Sequence, residues 1–265
     1  MLSPSLSRYR FALRPRWILS HLLVVALVVT MVNLGFWQLR RLDDRRDFNR
    51  LVRDRTAAPI DRIDDVVDPD APFDDTGDVT YRRARATGTY DADREVMVWG
   101  RSLSGEPGVW ILTPLITADG AALVVNRGWV PARGTPDRVP DEVVAPPGEH
   151  TVEGLVLASQ KRGRYGPKDP PDGVLATLAR ADIGRLQQQV PYDLYPVYLQ
   201  LQVSTPPAGD DLPRPLPAPE LSEGPHLGYA GQWFTFSAIA VVGYPLILRR
   251  NARERERASA ASEGL

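Results

Sequence analysis

Two long apolar runs frame the chain. Trp17 to Trp37 reads WILSHLLVVALVVTMVNLGFW, 21 residues without Asp, Glu, Lys or Arg, and Tyr229 to Leu248 reads YAGQWFTFSAIAVVGYPLIL, 20 residues without those four types. A helix of about 20 apolar residues crosses a bilayer, and aromatics near both ends of each run suit an interfacial belt. The pattern predicts transmembrane helices over 17–37 and 229–248, with Pro245 in the last turn of the second. The first run is longer than a signal-peptide core, and GFWQLRR is no small-residue cleavage site, so an uncleaved anchor is expected.

Between the runs the period changes to two. YRRARATGTY (81–90), EVMVWGR (95–101), GVWILTPLIT (108–117), ALVVNRGWVP (122–131), HTVEGLVLAS (150–159) and YPVYLQLQVS (195–204) read as strands. Asp119-Gly120 marks a hairpin between the third and fourth of them. ARADIGRLQQQV (179–190) is the one good helix in this region. Strand following strand through tight turns argues for an antiparallel sheet or small barrel and against a doubly wound fold. The expected class is therefore a membrane protein of α+β type. Two transmembrane helices flank a mostly antiparallel β domain that carries a short helix.

Charge adds orientation. Arg8, Arg10, Arg14 and Arg16 precede the first run, and Arg249, Arg250, Arg253, Arg255 and Arg257 follow the second. The positive-inside rule places 1–16 and 249–265 in the cytoplasm and 38–228 outside it, in a plasma membrane. Residues 38–55 read as a solvated helical stalk, 61–78 as an acidic, turn-rich stretch without the ligand spacing of an EF-hand, and 205–219 as an extended Pro-rich linker.

Composition excludes more than it selects. The net charge is −1, so nucleic acid is not an expected partner. No cysteine is present, which removes disulfides, thiolate metal sites and Cys nucleophiles, and three histidines are too few for a multi-histidine cage. No nucleophile elbow, phosphate loop or zinc-hydrolase motif appears. His150, beside Glu149, reads as a solvated surface histidine. Enzymatic action is not expected.

Two stretches carry chemistry. In VNRGWVP (125–131), Asn126, Arg127, Gly128 and Trp129 form a strand end. Gly128 would permit a bend and Trp129 would cover a core or interface. Alternatively, Arg127 could meet a carboxylate bidentately, such as a propionate. In HLGYAGQWF (226–234), His226, Tyr229, Ala230 and Trp233 share a helical face. With Trp37 and Gln38 at the end of the first run, they could form an aromatic pocket holding one imidazole nitrogen. One such ligand suffices for haem iron, because the porphyrin supplies four more. The other reading is an interfacial histidine among belt aromatics. His21 lies 16 residues before Trp37, about 24 Å along a helix, and so belongs to packing rather than to this site.

GFWQLRR (35–41), ATGTYD (86–91), WILTPL (110–115), LVVNRGWVP (123–131) and HLGYAGQWF (226–234), in this order, resemble the Surfeit-locus protein one family of cytochrome c oxidase assembly factors. The resemblance covers nearly the whole chain. It implies a two-span protein that is not an enzyme and that assists maturation of haem–copper oxidases. It implies haem a, held transiently, as the cofactor. Cytochrome c oxidase subunit I is the implied partner, with haem a synthase as a further one and the bilayer as surroundings. His226 matches the family histidine proposed as the haem ligand, so haem iron would be the only metal. Trp37, Gln38, Tyr229 and Trp233 match the accompanying positions, and Gly88 matches a glycine tied to family function. The alternative reading is a docking factor that stabilises an assembly intermediate without binding haem.

Overall fold

A computed structural model describes residues 9–132, 138–207 and 212–263. Parts of the N-terminal segment, the Pro-rich stretch and the C-terminal tail lie outside the described residues. The elements run α1 (Pro15–Ala57), β1 (Asp61–Arg62), α2 (Ile63–Val66), β2 (Arg83–Tyr90), β3 (Val96–Leu103), β4 (Glu106–Thr117), β5 (Ala122–Pro131), β6 (Glu149–Ala158), β7 (Thr177–Leu178), α3 (Ile183–Gln187), β8 (Leu194–Thr205) and α4 (His226–Glu263). They form an α+β chain in two compact units, one of residues 1–50 with 221–265, the other 51–220.

The helical unit is a hairpin. Along α1, buried or half-buried positions alternate at steps of four and three, from Trp17 through His21, Val24, Val28, Met31, Gly35, Gln38, Leu42 and Arg45 to Asn49. Along α4 the same rhythm runs from His226 through Ala230, Trp233, Ser237 and Ala240 to Tyr244. This is the 3.5-residue seam of paired helices. Gly35 lies under the Phe234 ring, where a Cβ would come within 2.6 Å of it, and the Phe36 and Phe234 rings meet edge to face at 5.4 Å. Both helices are long and apolar enough to cross a membrane, with mean window hydropathies of 2.2 and 1.4. Pro245 lies inside α4 rather than in its last turn, since the helix continues through the arginine-rich segment.

The second unit is a closed barrel. β2, β6, β8, β5 and β4 follow one another around it, and β4 pairs back to β2 through Gly88–Tyr90. β5–β8 is parallel and the other barrel pairs are antiparallel, the ring order of a five-stranded Greek-key barrel of the OB type. β3 extends the sheet from β4 and carries β7. Ala86, Leu115, Val125, Val152, Val156, Val197 and Leu199 fill the interior. On the outside, Ile183 and Leu186 of α3 cover Val98, Leu112, Val124 and Tyr198. Strands β5 and β8 are thus buried on both faces, which is why they read as near-continuous apolar runs.

Four expectations change here. The acidic stretch is not all loose loop: Ile63, Val66 and Val67 enter the core, and Asp64 accepts a hydrogen bond from the Tyr195 hydroxyl. His150 is 3% exposed and packs at a tilt against Tyr90, ring centroids 5.3 Å apart, because it faces into the barrel opposite Gly88. The linker is pinned where it is described: Arg214 exchanges two backbone hydrogen bonds with Trp129, each 2.8 Å, and Gln200 donates to the Pro217 carbonyl at 3.1 Å. The stalk is not merely solvated: its seam side holds the chain before α4, as described next.

Candidate functional site

The site is assembled where α4 begins. Pro225 supplies the first carbonyl of α4, accepting from the Tyr229 amide at 3.1 Å, and so places His226 in the opening turn. The segment before it is tied to α1 by three side chains. Arg46 donates twice to the Glu223 carboxylate, each bond 3.0 Å, a planar fork on a planar acceptor. Arg45 Nε donates to the Ser222 carbonyl at 3.0 Å, and buried Asn49 donates to the Leu221 carbonyl at 2.8 Å.

So held, His226 places Nδ1 2.9 Å from Gln38 Oε1. An amide oxygen can only accept, so Nδ1 carries the proton, and in the neutral ring the lone pair is on Nε2. Nε2 looks toward Gly224, which turns the chain at φ +68°. A Cβ at that position would lie in ordinary contact with Nε2, 3.6 Å away, so Gly224 borders the Nε2 edge of the ring. One ring nitrogen oriented by a neighbouring acceptor and the other left accessible is the arrangement of a metal-ligating histidine.

The aromatic residues do not close a pocket over this imidazole. Trp37 is 47% and Tyr229 49% exposed, on flanks of their helices. Trp233 meets Phe236 edge to face at 6.3 Å, and fully buried Ala230, not Tyr229, faces the seam. The structure therefore brings together His226 and Gln38 and leaves Trp37 and Tyr229 as open apolar surface beside them.

The second candidate stretch lies in the barrel unit and is internal. Arg127 is 6% exposed, and its Nη1 donates to Glu95 Oε1 at 2.7 Å and to the Val143 carbonyl at 2.8 Å. Thr113 donates to the same carboxylate oxygen at 2.6 Å. Arg127 does meet a carboxylate, but the carboxylate is Glu95 of this chain, which leaves no fork for a propionate. Burial holds the Glu95 carboxyl above its usual range, with Thr113, Arg127 and the Ala145 amide pulling the other way. Burial likewise pushes the neighbouring Tyr90 hydroxyl up to about 12.

The rest of the motif follows from close approach. Asn126 Oδ1 accepts from the Gly128 amide at 3.2 Å. Gly128 has φ +135°, and a Cβ there would lie 2.4 Å from the Arg214 carbonyl. Trp129 is fully buried, donates to the Arg101 carbonyl at 3.2 Å and carries Arg214 over its ring at 5.3 Å. Gly88 closes the barrel: a Cβ would lie 2.2 Å from the Ile116 carbonyl. A groove of about 620 Å³ opens beside it, lined by Arg62, Arg85, Thr87, Thr117 and Glu149 among others. Among the described residues no group of three or more His, Asp or Glu side chains is placed to hold a metal ion.

Sequence reasoning missed Glu95, Arg45, Arg46, Asn49, Glu223 and Gly224. Glu95 had a signal, as a carboxylate directly before the apolar run Val96-Met97-Val98. The others had none, since Arg45, Arg46 and Asn49 on a charged helix name no partner 172 to 177 residues away in an irregular segment.

A family model described as the SURF1 family matches residues 25–238. An uncharacterised SURF1-like protein of Mycobacterium tuberculosis is 29% identical over 262 residues, 96% of this chain and 92% of the relative. A SURF1-like protein of Rickettsia felis is 25% identical over 244 residues, covering 88% of this chain and 97% of the relative. One from Monosiga brevicollis is 26% identical over 251 residues, 88% of each. The matched range contains both candidate stretches.

Proposed function

The chain belongs to the SURF1 family, known generally as cytochrome oxidase assembly factors, and from that premise we propose that it holds haem a transiently through His226 and passes it to oxidase subunit I. The observation that carries this reading is the hydrogen bond from His226 Nδ1 to Gln38, which orients the ring and leaves Nε2 beside Gly224. A single axial ligand matches the task, because a carrier must release its cargo. The exposed Trp37 and Tyr229 rings give the porphyrin face apolar surface to lie on.

The same reading places 17–37 and 229–248 across the plasma membrane. Both termini are then cytoplasmic and the barrel extracytoplasmic, with His226 at the outer interface. Haem a synthase would load the site. The chain catalyses no bond change in this account; what it supplies is position and a ligand.

In a host lacking its own SURF1-family protein, the wild-type chain is expected to restore haem a content of the oxidase, and His226→Met and His226→Ala to leave it reduced with the variant protein still present in the membrane. Full restoration by both variants would instead favour the docking factor, in which His226 only anchors a helix end.

A further inference from the structure

The hairpin carries a second polar contact on its seam, far from His226. The Tyr244 hydroxyl lies 2.6 Å from His21 Nδ1 and 3.0 Å from the Ser20 hydroxyl, and the His21 and Tyr244 rings meet edge to face at 5.5 Å. His21 Nε2 lies 3.1 Å from the Ala12 carbonyl, which can only accept, so Nε2 carries the proton and Nδ1 is free to take one from Tyr244. Both ring nitrogens of His21 are engaged, so it has no lone pair for a ligand.

Between this contact and His226–Gln38 the seam is mostly apolar: Val24, Val28, Met31, Ala230, Trp233 and Ala240 line it with Gly35 fitted under Phe234, and Ser237 donates to the Trp233 carbonyl of its own helix rather than across the seam. Helices in a bilayer gain no hydrophobic energy on meeting; small residues and interhelical hydrogen bonds fix their association. A polar residue at a seam position specifies register in paired helices. The spacing is matched: 17 residues separate His21 from Gln38 and 18 separate His226 from Tyr244, about 26 and 27 Å of helix. A slip by one heptad would set His226 against Met31 or Arg45, both on the seam, instead of Gln38.

We infer that Tyr244 and His21 are positioning residues, a clamp that fixes the register bringing His226 to Gln38. Its consequence for haem rests on the reading of His226 above; the register itself is measurable without haem. The chain has no cysteine, so pairs can be introduced cleanly. In the full-length protein in membranes, Phe36→Cys with Phe234→Cys reads the observed register. Val29→Cys or Asp43→Cys with Phe234→Cys reads a slip of seven residues either way.

The expected result is preferential oxidation of the 36–234 pair. Tyr244→Phe, and separately His21→Leu, lower that preference about threefold or more, the size of an interhelical hydrogen bond in a bilayer. The exchange His21→Tyr with Tyr244→His restores it. An unchanged preference in both single variants, or an exchange that fails to restore it, would overturn the inference. A preference that moves as expected while the wild type binds no haem a would keep the clamp and remove only its link to the cargo.

Discussion

At the scale of single residues, the buried Arg127–Glu95 pair makes the sharpest stability claim. Removing one partner of a buried pair leaves an uncompensated charge and costs about 3–5 kcal/mol. Arg127→Met should lower the unfolding midpoint of the full chain in urea accordingly. The pH dependence has a definite sign. The Glu95 carboxyl is raised in the folded state, so the folded chain holds that proton more tightly than the unfolded one. Its contribution is complete below the unfolded value near about 4.3 and is lost as pH rises through the raised value. Without Arg127 the opposing pull is gone, so the variant's deficit should be smaller at pH 5 than at pH 8. A deficit that grows on acidification would contradict this. The same pair marks how far residue chemistry could be read from sequence. A carboxylate for Arg127 was legible only as the alternative to a plain strand end, and Glu95, 32 positions earlier and just before β3, is brought to it only by the fold. His226 shows the converse. Its place at a helix mouth was legible from the apolar run behind it, whereas Gln38 as its partner depended on how the hairpin aligns.

At the scale of elements, the strands were legible because period-two spacing and turn residues are local. β5 was readable to the residue, Ala122–Pro131, as an apolar run between Asp119-Gly120 and a proline. The barrel was not legible, since closure depends on β2 meeting β4 at Gly88, and nothing local to ATGTYD names that partner. Short α3 came out of a longer expected helix, because only Ile183–Gln187 is needed to cover the outer face. Closure is testable. Gly88→Val drives a branched side chain toward the Ile116 carbonyl, already 2.2 Å from an ideal Cβ. Backbone has to move at the seam, and a loss of about 2 kcal/mol or more is expected, read as a lower thermal midpoint. Faster amide exchange confined at first to β2 and β4 should accompany it. A variant as stable as the wild type would mean that the seam is not a close backbone contact.

At the scale of the whole molecule, the proposed topology sets the two apolar helices across a membrane and the barrel on its outer side. Because the chain lacks cysteine, single cysteines report sidedness directly. Tyr165→Cys, on a surface loop of the barrel unit and 85% exposed, should react with an impermeant maleimide in intact cells. A cysteine at Arg253 should react only after lysis. The reverse pattern would invert the topology. The central claim is that His226 binds haem a, and one measurement addresses it most directly. That measurement is the visible spectrum of the full-length protein purified from cells making haem a, with His226→Ala beside it. A haem a spectrum is expected in the wild type and is expected to be lost or shifted in the variant, with both proteins showing the same thermal unfolding. Equal haem a in both, or none in either, would contradict it.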